Sequence, residues 1–202
     1  MAGKTKVHER QTEQSRSWIF EALLRLMEKK TYGKISVADI TKKAGVARQT
    51  FYRHYKSKDD VILQFFDFCV NPPPPERVEI THREDGRDTF IFMLPLDQYV
   101  RHAGTIKRIL MSEAEYLLIL HAQKWQDYMI NLYDGKLSGE EKTYFRYMIK
   151  FSGAGAIQIF CDWIKNDMPI SVEKLKTWLT AKDRPYYQSY RNIPKIVLKV
   201  KN

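Results

Sequence analysis

The sequence predicts an all-α protein, with a small three-helix head followed by a larger helical body. Three observations carry this. Glycine and proline are sparse, 9 and 8 of 202 residues, which disfavours a turn-rich β sandwich. Apolar residues recur at spacings of three and four through most of the chain. Helix-start signatures S-x-x-D/E recur at Ser36–Asp39, Ser57–Asp60 and Ser138–Glu141, where the hydroxyl accepts from a free backbone N–H and the carboxylate reaches back.

Residues 1–10 are polar and read as a frayed, basic arm in which Lys4, Lys6 and Arg10 add positive charge. The first helix is expected from Thr12 to Lys30, with Ile19, Leu23, Leu26 and Met27 as its apolar stripe. Lys29 and Lys30 suit its C-terminus. Tyr32 and Ile35 are expected to close the core.

The stretch SVADITKKAGVARQTFYRHYKSK, residues 36–58, organises the head. Ser36 caps a short helix whose stripe is Val37, Ile40 and Ala44. Gly45 stands where the chain must adopt positive φ to end that helix. A second helix is expected over Ala47–Lys56, with Ala47, Phe51 and Tyr55 on its inner face and Gln49, Tyr52 and Arg53 pointing away. This is a helix-turn-helix pattern with a basic, aromatic second helix, so sequence-specific binding of double-stranded DNA is the first functional expectation. Arg48 and Gln49 near its start are the expected base readers, because Arg pairs bidentately with guanine and Gln with adenine. Tyr52 is assigned to a base or a phosphate, and Thr50, Arg53 and His54 to phosphate. Lys58 in the first turn of the next helix opposes the helix dipole, but becomes favourable near a phosphate.

That next helix carries Val61, Ile62, Phe65, Phe66 and Cys69 and must stop before Pro72, the first of four prolines. Residues 71–87 read as a proline-rich loop or spacer. Helical patterning resumes at Asp88, with Pro95 dividing it. Short and long helices follow over Gly104–Met111 and Glu113–Tyr133, and Asp134-Gly135 marks a turn. Ser138 opens a long helix that ends before Met168-Pro169. Its mid-helix cluster Ser152–Ala156 needs a packing reason, since interior glycine costs helix stability. Ser171 caps a last helix through Leu179. The basic tail, 182–202, alternates like a strand at Val197–Val200, and its conformation is left open.

Charge is uneven. Residues 1–60 carry 14 Lys and Arg against 7 Asp and Glu, residues 61–181 carry 14 against 16, and residues 182–202 carry 6 against 1. A basic N-terminal head fits a polyanion partner. Cys69 and Cys161 are too few and too far apart for a disulfide framework or a zinc site, and read as core thiols. The five histidines show no metal spacing. No catalytic residue, metal or cofactor is expected. No signal peptide or bilayer-length apolar run is present, so a cytoplasmic protein without membrane association is expected.

Residues 11–70 resemble the N-terminal domain of TetR-family transcriptional regulators. The matching pieces are IFEALLRLM, ISVADITKKAGV and TFYRHYKSKDDVI. The resemblance implies that the second helix reads the major groove and that Lys58 contacts phosphate. Ser36 is counted among the DNA-binding candidates as well. Ala47 departs from the family, which often has Ser there, and so loses a side-chain cap of about 1 kcal/mol. GAGAIQIFCDWIKNDMPISVEKL more loosely resembles TetR-family members with Firmicutes-type bodies. That implies a homodimer through the last two long helices, for which Gly153, Gly155, Ile159, Trp163 and Trp178 are candidates. It also implies an inducer pocket, with Phe92, Met93, Tyr116, Trp125, Tyr128, Met129 and Phe160 as candidate lining, for a small molecule or a protein partner to modulate.

The expected domains are therefore a DNA-binding head at 10–70, a loop at 71–87, a helical regulatory and dimerisation domain at 88–181, and a basic tail at 182–202. Repression at a palindromic operator is the usual family outcome, with activation left open. A co-regulator acting through protein contacts is the alternative, and an enzyme with an unrecognised site is a more distant one.

Overall fold

The computed structural model describes residues 2–70, 80–81, 89–90, 96–135, 137 and 139–180. The fold is all-α. Its helices are α1 (Ala2–Met27), α2 (Val37–Ala44), α3 (Arg48–His54), α4 (Lys58–Cys69), α5 (Leu96–Val100), α6 (Ala103–Met111), α7 (Glu115–Asp134), α8 (Gly139–Lys165) and α9 (Val172–Thr180). A 3-10 turn, Tyr32–Lys34, lies between α1 and α2. None of these helices is long and apolar enough to cross a membrane.

α1 corrects the expectation of a frayed arm, for it is helical from Ala2 and stops at Met27. No proline interrupts residues 2–27, so the helix propagates N-terminally one hydrogen bond per residue. Lys29 and Lys30 fall beyond the helix. Their N–H groups bond back to Leu26 O at 3.0 and 2.9 Å.

The antiparallel pair β1 (Ile80–Thr81) and β2 (Thr89–Phe90) aligns Ile80 with Phe90 and Thr81 with Thr89. Helix was expected from Asp88 onward, so Thr89 and Phe90 are a correction. β-branched and aromatic residues suit a pleated pair, and the helical spacing here was a dense apolar run of ambiguous period. Residues 72–75, Pro95, Phe92, Met93 and the tail at 182–202 lie outside the described residues.

The chain forms two compact units. The head unit comprises residues 1–69 with 102–118. Ile19, Leu23, Ile40, Phe51, Ile62 and Phe66 are its fully buried centre, each worth roughly 1.5–3 kcal/mol of transfer free energy. Ile106 and Ile109 of α6 and Leu117 of α7 are buried as well. The Tyr32 N–H donates to Ser112 O at 3.0 Å, joining the 3-10 turn to the segment after α6.

The second unit comprises residues 70–101 and 119–202. Met129, Ile130 and Tyr133 of α7 pack with Leu137 and with Phe145 and Ile149 of α8. Gly153 lies beneath Gln126: a Cβ there would meet Gln126 Nε2 at 2.6 Å. The small residue thus has its reason within the chain, in the close approach of α7.

Candidate nucleic-acid interface

The head builds its exposed basic face from three local devices. Ser36, extended at φ −97°, accepts from the Asp39 N–H at 3.1 Å, and Asp39 Oδ2 accepts the Ser36 N–H at 3.0 Å. This reciprocal box fixes the start of α2. The Ser36 hydroxyl also donates to Asp39 Oδ2 at 2.9 Å. These bonds hold the Asp39 carboxyl below its ordinary pKa, helped by Lys30. Gly45 then takes φ +68°, a left-handed conformation that ends α2 and turns the chain into α3.

α3 is one turn shorter than the expected Ala47–Lys56. It ends at His54, and Tyr55 is extended at φ −140°. Its inner face is Phe51, fully buried, with Tyr55 at the C-cap nearly so. Ala47 was expected on that inner face but is exposed at the N-cap, where its side chain makes no capping bond. The cause is its extended backbone, ψ 148°, which removes it from the helical wheel. Arg48, Gln49, Tyr52 and Arg53 are exposed, and Thr50 is half-buried. The spacing i, i+1, i+4, i+5 gathers those four on one side of the helix. Tyr52 is 58% exposed, its ring edge-on to Phe51.

α4 starts with a second reciprocal lock. Asp60 Oδ2 accepts from the N–H groups of Lys56 and Ser57 at 2.7 and 3.0 Å, and the Asp60 N–H donates to Ser57 Oγ at 3.3 Å. Lys58 is directed inward. Its ammonium donates to the carbonyls of Tyr32 at 2.6 Å, Ile35 at 2.8 Å and Gly33 at 3.4 Å, and lies 4.4 Å from the Tyr32 ring centroid. An ammonium has three donors, and all three have acceptors here. The charge at the start of α4 thus serves the 3-10 turn.

His54 also has an intrachain partner. Its Nε2 lies 2.8 Å from Ser15 Oγ on α1. Burial, then Arg16 and Arg53, push its pKa below the ordinary histidine value. Ser15, Tyr32 and Asp59 are contributors to this site that sequence reasoning did not assign. Contacts 26 to 39 residues distant in sequence reveal them, so no local pattern signals them.

The described members of the expected ligand set fall in both units. Tyr116 is in the head unit, 48% exposed and edge-on to Tyr32. In the second unit Phe160 and Met129 are core residues, Tyr128 is exposed, and Trp125 is half-buried and edge-on to Tyr128. A cleft of about 550 Å³ in the head unit is lined instead by Glu21, Arg25, Glu28, Lys29, Lys43 and Arg108, with Leu26. Of the candidate dimer residues, Gly155, Ile159 and Trp178 are exposed, and Gly153 and Trp163 are buried. Trp163 Nε1 donates to Ile170 O at 2.9 Å. Among the described residues, no group of three His, Cys, Asp or Glu side chains could hold a metal ion.

Residues 19–65 match the family described as bacterial regulatory proteins, tetR family. The HTH-type transcriptional regulator EthR of Mycobacterium tuberculosis is 31% identical over 121 residues, which is 55% of this chain and 56% of that protein. EthR of Mycolicibacterium smegmatis is 46% identical over 73 residues, 36% of this chain and 29% of that protein. The chain thus spans about half the length, or less, of the curated relatives it matches. Among solved structures, the dihydroxyacetone kinase operon activator DhaS covers 82% of this chain and 91% of its own, at 21% identity and a TM-score of 0.44.

Proposed function

Taking as premise that this chain belongs to the TetR family of bacterial regulatory proteins, we propose that it is a sequence-specific transcriptional repressor of the cytoplasm. It binds a palindromic operator as a homodimer and acts as a regulator, not an enzyme. The observation that carries this reading is the exposed face of α3. Arg48 and Gln49 stand in its first turn with Tyr52 and Arg53 beside them, on a helix aimed by the Ser36–Asp39 box and the left-handed Gly45. An α-helix fits the major groove, and its N-terminal side chains reach base edges. Thr50 and Arg53 supply phosphate contacts, which position the helix without reading sequence.

Dimerisation is supported by an apolar stripe on α8. Tyr147, Phe151, Gly155 and Ile159 recur every four residues and are all exposed, more apolar surface than a solvated helix face normally carries. A two-fold partner on α8 and α9 covers it and doubles the number of bases read. A small molecule or protein partner that favours one arrangement of the two heads then shifts the fraction competent for DNA.

Selection of duplexes from a random DNA library, at moderate and then higher salt, tests the reading. Enrichment of a palindrome that is altered or lost with Arg48→Ala is the expected result. Binding without any enriched motif, abolished by salt, would instead mean that the head's charge acts non-specifically.

A further inference from the structure

The end of α3 is fastened at His54 from two sides. Its ring bonds to Ser15 on α1, and its carbonyl accepts from Gln64 Nε2 on α4 at 3.4 Å. The direction of the ring bond follows from counting protons. Ser15 Oγ has one hydrogen, and it donates that hydrogen to Thr12 O at 2.9 Å. Where the Ser15 hydroxyl gives its one hydrogen to Thr12 O, Oγ accepts from the imidazole, so His54 Nε2 carries the proton and Nδ1 the lone pair. Protonating His54 adds a hydrogen at Nδ1 and leaves the Nε2–H bond to Ser15 intact. The fastening and the titration therefore reside on different nitrogens of one ring.

We propose that His54 is a positioning residue that fastens the recognition helix to α1 through Nε2–H, and that its Nδ1 takes up a proton when that helix meets DNA. The proposal rests on the DNA-binding reading above. α3 needs such a fastening, because seven residues with an uncapped start do not form a stable helix alone. The charged groups acting on the ring are Arg16 from α1 and Arg53 from α3, both cationic. Tyr55, 6.1 Å away between ring centroids, is the titratable neighbour. In the free protein these cations oppose an imidazolium. Phosphates brought to the same face neutralise them and favour it. Binding then takes up a proton, and affinity rises as pH falls.

The test has two arms on the full chain. In the first, ¹⁵N NMR of the free protein reads the His54 ring nitrogens. The Nε2–H tautomer should dominate, and Ser15→Ala should let the two tautomers mix. A dominant Nδ1–H tautomer would overturn the proposal without reference to DNA. In the second, affinity for a duplex enriched from the random library is followed from pH 8 to pH 5.5 at constant salt. Wild type should tighten toward acid, by at most about tenfold per pH unit for one proton. His54→Gln, which keeps an amide donor but cannot ionise, should bind more tightly than His54→Ala at pH 8 and lose the slope. His54→Ala should lose affinity at pH 8 as well. Identical slopes for wild type and His54→Gln would overturn the proton uptake, and unchanged pH 8 affinity in His54→Ala would overturn the positioning role. Failure to enrich any duplex would refute the DNA-binding reading itself, while the tautomer arm still decides the fastening.

Discussion

The Tyr32 hydroxyl donates to Asp59 Oδ1 at 2.7 Å, across 27 residues of sequence, and joins the 3-10 turn to the first turn of α4. The same carboxylate acts on the hydroxyl of Tyr116, in the first turn of α7. Tyr32→Phe keeps the ring beneath Lys58 and removes only the donor. It should cost about 1–2 kcal/mol of stability, the usual scale for a hydrogen bond to a charged acceptor. Urea denaturation would measure this, and an unchanged midpoint would mean the bond adds nothing net.

Alkaline pH should act on the same cluster. Burial, then the Asp59 carboxylate, push the Tyr116 hydroxyl up to about 12, and Tyr32 is shifted in the same direction. A phenol whose folded pKa exceeds its unfolded value stabilises the fold fully below the unfolded value, and that stability is lost as pH rises through the folded one. Stability should therefore decline from about pH 10 toward pH 12. Tyr116→Phe should make the decline shallower. The urea midpoint at pH 8, 10 and 11.5 reads this directly.

Lys58→Met retains the aliphatic stem and deletes the ammonium. Three carbonyls, of Tyr32, Gly33 and Ile35, then lose a charged donor. Charge-assisted bonds of this kind are worth about 1.5–3 kcal/mol, and a stability loss of about 2 kcal/mol is expected in the absence of DNA. A variant with wild-type stability and weakened DNA binding would show that Lys58 serves phosphate alone.

The two glycines of the α8 cluster should respond oppositely to alanine. At Gly153 the new Cβ meets the buried Gln126 side chain at 2.6–3.1 Å, and overpacking of about 1–3 kcal/mol outweighs the helix-propensity gain of about 1 kcal/mol. At Gly155 nothing in the chain lies within 4 Å, so alanine should stabilise the chain by up to about 1 kcal/mol. Thermal melts of the two variants, with sedimentation to follow association, separate intrachain packing from pairing of two copies.

Thiol chemistry gives a further check on the core. Both cysteines are buried, and burial pushes the Cys69 thiol up to about 12. The thiolate is the reactive form, so an alkylating reagent at pH 8 should label Cys69 at least about 100-fold more slowly in the native protein than in urea. Rapid native labelling would mean that α4 opens.

The helix-turn-helix was legible because its determinants are local. Ser36 with Asp39, Gly45, and Phe51 among exposed polar neighbours each declare themselves within four residues, and each has the expected role. Legibility ended where the determinant is tertiary. Lys58 opposing the helix dipole pointed to phosphate, but the carbonyls that receive it belong to residues 32–35. Ser15 gave no signal, because its partner lies 39 residues away. In the second unit, aromatic residues at helical spacing could not be sorted into core and surface. Phe160 is buried and Tyr128 exposed, and the periodicity of each is the same.

Gly45 has a consequence for inheritance. A Cβ built there meets nothing within 4 Å, so alanine is opposed only by the left-handed backbone, at roughly 1–2 kcal/mol. A penalty of that size tilts or loosens the turn into α3 without emptying the core. Single nucleotide changes at this codon should therefore weaken the head in graded steps and leave its fold in place.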